Sequence, residues 1–377
     1  MDESSTLTIN GHQLAFTPGE TILEVARRNH IDIPTLCYLK GASPTGECRM
    51  CVVEVEGARN LVTACAAPAG NGMVVHTESR RVVESRKMLL KLLLSSGNHN
   101  CAVRGSDDGD WTRFQLDVHA ADDSAELCPV WGDCQLQNLA YRYQVSGDQF
   151  PRTDVPYPME TVNPFIVRDF SRCIKCGRCV QACNDIQVNN AISFGYRGAK
   201  SKVIAAGDRP LKDSDCVFCG ECVQACPVGA LVEKDARYQV RPWETTIVRT
   251  TCSYCGVGCQ LNIHVSDGRV VKVNGAPDTP PNYGSLCVKG RFGFNFINSP
   301  ERLTTPLVRE NGELREATWD EALGRVADQF SRILSDHGPD AFGVLTSARI
   351  TNEENYIAQK FTRAVLKTNS VDHCARL

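Results

Sequence analysis

CIKCGRCVQAC at 173–183 and CVFCGECVQAC at 216–226 are two copies of one pattern, the second followed by Pro227. Three thiolates at two-residue gaps cap three corners of a cube of iron and sulfide, and a fourth cysteine completes the ligand set. Pairwise disulfides suit this spacing poorly, because each bridge needs its own two Cα atoms at a defined separation. A zinc ribbon needs only two pairs and leaves four thiols unexplained. Outward from this repeat, nineteen of the 20 cysteines fall into five sets of related kind. Five such sets in 377 residues imply one task, moving electrons in single steps.

In two-cluster ferredoxins the fourth cysteine of each copy ligates the other cube. That rule assigns Cys173, Cys176, Cys179 and Cys226 to one [4Fe–4S] cluster and Cys216, Cys219, Cys222 and Cys183 to the second. Asn184 stands where a proline would follow Cys183, a departure that removes no ligand.

Residues 6–80 begin with a hairpin pattern, Leu7-Thr8-Ile9, the turn Asn10-Gly11, and a strand around Leu14–Phe16. A helix is expected over Thr21–Arg27, with Thr21 and Glu24 spaced for a capping box. The set Cys37, Cys48, Cys51 and Cys65 follows, with Gly41 and Gly46 in its loop, then a strand through Cys51–Val55. This arrangement resembles the [2Fe–2S] module that opens the large electron-transfer subunit of respiratory complex I and of NAD-linked formate dehydrogenases. The alternative is four buried or zinc-binding cysteines.

Residues 80–95 read as a connecting helix. Cys101, Cys128 and Cys134 form a third set. CPVWGDC at 128–134 resembles the end of the motif for a cluster held by one histidine and three cysteines in the same families. His99 is the expected fourth ligand and His119 its rival; an insertion from Ala102 to Leu127 separates Cys101 from Cys128, which loop-closure entropy tolerates. Tyr141 to Pro164 reads as an extended linker rich in proline.

Cys252, Cys255, Cys259 and Cys287 form the fifth set. With CVKGRFGFNFINSPERL at 287–303 it resembles the N-terminal [4Fe–4S] domain of molybdopterin-dependent oxidoreductases, the formate dehydrogenase branch in particular. The resemblance implies that Lys289 relays electrons or contacts the pterin; the alternative is a solvated lysine. The tail holds a helix pattern from Trp319, a strand at Ala341–Leu345 and a helix from Asn352 to Leu366. TSARITNEENYIAQKFTRAVLKTNSVDHCARL at 346–377 resembles the start of the molybdopterin domain. It implies that Arg349 contacts the cofactor's pyrophosphate, for which a guanidinium fork is suited; it could equally be a surface arginine. By the same resemblance, Leu377 directly precedes the selenocysteine or cysteine that binds the metal. The expectation is an in-frame UGA codon there, with a cloned fragment or split gene as the rivals.

Composition agrees with globular domains, at 42% hydrophobic and 7% aromatic residues. A net charge of −3 offers no global attraction to nucleic acid or anionic membrane. The acidic start MDESSTLTIN lacks an export signal, and no apolar run spans a bilayer, so a cytoplasmic location is expected. The reading is an α+β multidomain chain: a β-grasp [2Fe–2S] domain (1–80), a His/Cys cluster domain (81–150), a two-[4Fe–4S] ferredoxin domain (160–240), a molybdopterin-oxidoreductase [4Fe–4S] domain (245–300) and the start of an α/β molybdopterin domain (301–377).

The resemblance implies the electron-transfer portion of a formate dehydrogenase alpha subunit, an oxidoreductase whose isolated portion is inactive on formate. Its cofactors would be one [2Fe–2S] and four [4Fe–4S] clusters, with bis-molybdopterin guanine dinucleotide carrying molybdenum or tungsten in the full-length protein. Its partners would be a flavin-containing NAD(P)-linked subunit, a small [2Fe–2S] subunit and a C-terminal molybdopterin domain. The alternatives are a complex I large subunit, which lacks a twin repeat of this form, and an iron-hydrogenase electron-transfer subunit, which lacks the set at 252–287.

Overall fold

The computed structural model describes residues 5–99, 128–146, 150–151, 153 and 157–374. Cys101 and His119 lie outside the described residues. The chain forms two compact units, Met1–Thr246 and Ile247–Leu377.

The first unit opens with β1 (Thr6–Ile9) and β2 (His12–Ala15), paired antiparallel. Asn10 and Gly11 both take positive φ, the backbone that a two-residue turn matching strand twist requires. In α1 (Ile22–Arg28), the Glu24 amide donates to Thr21 Oγ1, and the Thr21 amide donates to Glu24 Oε2. This reciprocal cap satisfies two orphan donors. Ile22, Leu23 and Val25 are fully buried, each contributing about 2 kcal/mol. β3 (Val52–Val55), β4 (Val62–Thr63) and β5 (Val74–His76) complete a five-stranded sheet of order β2-β1-β5-β3-β4, with β1 and β5 parallel.

α2 (Arg80–Ser95) buries Val82, Arg86, Leu90 and Leu94 along one stripe. Arg86 is a charge on that apolar stripe, with no exposed surface. Its Nε donates to the Met50 carbonyl at 3.0 Å and its Nη2 to the Val52 carbonyl at 2.9 Å. Its Nη1 donates to Glu78 Oε1 and Tyr143 Oη, each at 2.8 Å. Tyr143 ends α3 (Gln135–Tyr143), which closes on Gln144 in the left-handed region. The expected linker therefore begins later than Tyr141, because Arg86 and the core hold the last turn of α3. It also ends sooner: Glu160 and Arg168 exchange backbone hydrogen bonds and form an ion pair of 2.6 Å.

β6 (Ile166–Arg168) leads into the first cysteine repeat and α4 (Arg178–Gln181), which continues as a π turn over Ala182–Ile186. β7 (Ile192–Gly195) and β8 (Lys202–Ala205) form a hairpin between the repeats. α5 (Glu221–Ala225) belongs to the second repeat, and β9 (Leu231–Glu233) returns to pair with β6. The repeats match in backbone. Gly177 and Gly220 precede α4 and α5 at φ 75° and 73°, and Lys175 and Phe218 share positive φ.

The second unit carries a three-stranded sheet of β10 (Thr246–Thr251), β11 (Gln260–Ser266) and β12 (Arg269–Gly275). A Cβ on Gly275 would stand 1.8 Å from the Gly284 carbonyl oxygen, so the close approach of these backbones requires glycine. After α6 (Val288–Phe292) come the hairpin β13 (Leu307–Glu310) and β14 (Glu313–Glu316), then α7 (Trp319–His337) capped by Thr318. β15 (Val344–Thr346) lies later than the expected strand, because Pro339–Ala341 forms a 3-10 turn. α8 (Asn352–Ala364) starts on a Thr351/Glu354 capping box, and β16 (Val371–His373) pairs parallel to β15. Trp319, Leu323 and Val326 on α7, and Tyr356 and Ile357 on α8, are exposed. Among the described residues, no helix is long and apolar enough to cross a membrane.

Candidate iron–sulfur sites

The N-terminal set gathers at one edge of the five-stranded sheet. Cys37, Cys51 and Cys65 are buried and Cys48 is half-buried. Cys51 Sγ and Cys65 Sγ stand 3.3 Å apart, and Cys37 and Cys48 share a second thiol–thiol hydrogen bond. In each pair the thiol–thiol bond draws one sulfur down, Cys37 to about 6 and Cys51 to about 7, while the same bond and burial push Cys48 and Cys65 up. The amides of Glu47 and Cys48 and the side chain of Thr45 also donate to the Cys37 sulfur. Gly46, at φ +66°, turns the loop so that these donors converge. Such a nest of donors suits anionic sulfur, which fits a cluster ligand.

The two repeats belong to the first unit. Cys173, Cys176, Cys179 and Cys226 line one apolar cavity, against which Cys222 also lies. Cys226 and Cys222 of the second copy thus line the same cavity as the triplet of the first. Cys216 in turn interacts with Cys219 and Cys183. Burial pushes Cys176 up to about 12 and Cys226 up to about 11, and raises Cys173, Cys179 and Cys216. Neutral thiols are the cheaper form in a dry cavity; bound iron makes them thiolates. The Lys175 amide points at Cys173 Sγ and the Phe218 amide at Cys216 Sγ, each at 3.4 Å. Amide contacts to sulfur of this type tune cluster potentials.

The third set borders that cavity. Cys128 and Cys134 are each 4% exposed, and His99 Nε2 is buried. The neighbouring Asn98 amide donates to the Ser171 carbonyl at 2.7 Å, and Arg172 Nη1 donates to the Asn98 carbonyl at 3.1 Å. Arg172 also acts on Cys128, opposing the rise that burial imposes on its thiol. Arg241 Nη1 donates to the Cys128 carbonyl at 2.9 Å, placing a second guanidinium there. A Cβ on Gly229 would meet Cys128 Sγ at 3.4 Å, and the Gln135 amide donates to the Pro227 carbonyl at 2.9 Å. These contacts join the Cys128/Cys134 segment to the loop that follows Cys226. Arg172, Arg241 and Gly229 carry no motif of their own and escaped the sequence reading.

In the second unit, the Cys252 amide donates to the Cys259 carbonyl at 2.8 Å. Cys252 and Cys259 both interact with Cys255 and Cys287, so the four thiols form one group. Burial raises the thiols of Cys252 and Cys259. Cys255 and Cys287 are exposed, as are Lys289 on α6 and Arg349. A Cβ on Gly256 would stand 3.7 Å from the Ala348 carbonyl oxygen, so the loop before Arg349 lies beside the cysteine loop. The Ala348 backbone and the Ser347 side chain draw the Cys374 thiol down by hydrogen bonding, with a smaller pull from Arg349. Among the described residues, no three His, Cys, Asp or Glu side chains converge tightly enough to hold a single metal ion.

Family models match in succession along the chain. The 2Fe-2S iron-sulfur cluster binding domain covers residues 2–80 and the 4Fe-4S dicluster domain 172–230. The molybdopterin oxidoreductase Fe4S4 domain covers 245–299 and the molybdopterin oxidoreductase model 302–377. The NADPH-Fe(3+) oxidoreductase subunit alpha of Geobacter sulfurreducens is 36% identical over 376 residues, 99% of this chain and 40% of that protein. A candidate formate dehydrogenase of Staphylococcus aureus is 33% identical over 414 aligned positions, covering all of this chain and 39% of the relative. The chain thus spans about two fifths of the length of these relatives. The crystal structure of an NAD+-reducing [NiFe]-hydrogenase in the H2-reduced state matches with a TM-score of 0.53 at 31% identity. That match covers 63% of this chain and 90% of the hydrogenase chain. The [2Fe–2S] and [4Fe–4S] domains, in this order and ahead of molybdopterin-domain sequence, place the chain in the molybdopterin oxidoreductase family as an iron–sulfur electron-transfer module.

Proposed function

We propose that this chain is the electron-transfer portion of a formate dehydrogenase alpha subunit, linking a molybdopterin site to a flavin-bearing, NAD(P)-linked partner and a small [2Fe–2S] subunit in the cytoplasm. The observation that carries this reading is the buried cavity of Cys173, Cys176, Cys179 and Cys226, joined by direct contacts to the segments of two further ligand sets. On one side Gln181 Nε2 donates to the Ser43 carbonyl at 2.7 Å, within the loop between Cys37 and Cys48. On the other, Gln135 reaches Pro227 beside Cys134.

In this reading the ligands are Cys37, Cys48, Cys51 and Cys65; His99, Cys101, Cys128 and Cys134; the two crossed sets of the repeat; and Cys252, Cys255, Cys259 and Cys287. Clusters bound there supply one-electron steps over a wide range of potential. The protein's own part is to exclude water at Cys176, Cys179 and Cys226, aim the amides of Lys175 and Phe218 at sulfur, and hold neighbouring sites in contact. Lys289 would serve as relay or pterin contact and Arg349 as pyrophosphate contact. The five domains expected from the sequence are the corresponding functional pieces.

A second reading, nicotinamide-driven reduction of a ferric acceptor, is favoured by the 36% identity to the Geobacter subunit. Anaerobic assays of a full-length protein with its partner separate the two. Formate-dependent reduction of NAD(P) is expected; NADPH-dependent ferric reduction without formate turnover would replace the first reading with the second.

A further inference from the structure

Arg178 stands where two ligand sets meet. It opens α4 directly after Gly177, on the turn that carries Cys176 and Cys179. Its guanidinium interacts with Cys176 and Cys226 in the central cavity and with Cys37 in the N-terminal set. The loop from Gly41 to Cys48 lies against the same turn: a Cβ on Gly177 would stand 3.6 Å from Glu47 Oε2, and one on Gly41 would stand 3.2 Å from Ile186 Cδ1. Arg178 Nη1 donates to Gln135 Oε1 at 2.9 Å, a neutral amide that leaves the charge uncancelled. Its Nε–H is buried and finds no acceptor among the described residues. A buried donor left so is costly unless an acceptor arrives. Arg27 adds a second positive charge nearby, and Glu47 is the acidic group facing the turn.

The second repeat has a carboxylate at the matching sequence position, while the Arg168 guanidinium, ion-paired with Glu160, also acts on Cys216. Glu221 opens α5 directly after Gly220, between Cys219 and Cys222, as Arg178 lies between Cys176 and Cys179. A site gains negative charge on reduction, so a neighbouring cation favours its reduced form and a neighbouring carboxylate disfavours it. We propose that the Arg178/Glu221 pair makes the two repeats unequal, raising the reduction potential at Cys173/Cys176/Cys179/Cys226 and lowering it at Cys216/Cys219/Cys222/Cys183. Electrons entering the twin sites are thereby drawn toward the first site. From there Arg178, shared with Cys37, makes the N-terminal site a better acceptor. This inference rests on the reading of the cysteine sets as cluster ligands.

The test is an EPR-monitored redox titration of the anaerobically isolated full chain, with iron and sulfide measured on each sample. R178Q shifts the one-electron equilibria of the first repeat site and the N-terminal site about tenfold toward the oxidised form, about 59 mV for one electron. E221Q shifts the other repeat site in the reverse direction, and R178K stays at the parent value. Unmoved midpoints in fully loaded R178Q and E221Q would overturn the proposal while leaving the ligand sets standing. So would an R178K midpoint that falls as far as that of R178Q, since shape rather than charge would then be responsible. If R178Q loses its cluster, E221Q decides alone, and an unmoved midpoint there overturns the proposal. A parent protein with no clusters overturns both this inference and the reading beneath it.

Discussion

Cys226 lies in one cavity with Cys176, although β7, β8 and α5 separate them along the chain. In the proposed crossed assignment the two repeats are interdependent, since each triplet takes the last cysteine of the other copy. C226S should remove the cluster of Cys173, Cys176 and Cys179. Iron content should then be the same in C226S and the double variant C173S/C226S, and lower in C216S/C226S. Equal iron in both double variants, or a further loss in C173S/C226S, would show that the sets are not crossed.

Arg86 ties α2 to the strand that follows Cys51, through the carbonyls of Met50 and Val52. R86Q leaves those acceptors and Glu78 without their charged partner. It should destabilise the first unit by about 3 kcal/mol. Y143F loses one hydrogen bond and should cost about 1 kcal/mol. Urea unfolding of the loaded protein measures both, and equal midpoints for R86Q and the parent would refute the assignment.

The buried thiols predict a pH effect on the metal-free protein. Cys176 and Cys226 are held at about 12 and about 11 against an ordinary value of 9.0. Folded-state values above the unfolded ones mean that the neutral thiols contribute fully below pH 9. Their contribution is lost as pH rises from there through the folded values. Thermal melting of the apoprotein should fall between about pH 9 and 11, less steeply in C176S. Identical slopes in the two proteins would contradict this account.

Gly275 and Gly284 meet too closely for any side chain, three residues before Cys287. G275A should cost about 1–3 kcal/mol by overpacking and displace the loop that carries Cys287. The expected result is loss of iron from the set of Cys252, Cys255, Cys259 and Cys287, with the first unit's clusters retained. Full iron occupancy at that set in G275A would show the loop to be freer than its backbone contact implies.

The cysteine spacings were legible because a cube of iron and sulfide imposes its own geometry on a short loop, whatever surrounds it. The hairpin at Asn10-Gly11 and the capped helix after Thr21 were legible for a similar reason, as local chemistry alone determines them. Arg86, Arg172 and Arg241 were not. Each acts on a backbone or thiol far along the chain, and a guanidinium in a helix or loop looks the same whether buried or solvated. The last turn of α3 was mistaken for linker because Tyr143 is held by Arg86 rather than by its neighbours. The middle strand of the sheet β10–β12 alternates cleanly, Leu261, Ile263 and Val265 between polar residues, so that strand was legible although it escaped the sequence reading; only Leu261 of it is buried.

The central claim, that the cysteine sets hold iron–sulfur clusters serving as one electron path, is tested most directly by metal and sulfide analysis with Mössbauer and EPR spectroscopy on anaerobically isolated protein. The account predicts one two-iron and four four-iron clusters, all reducible, with interacting EPR signals among the sites of the first unit. Zinc in place of iron, or iron below half of that expected after careful reconstitution, would contradict it.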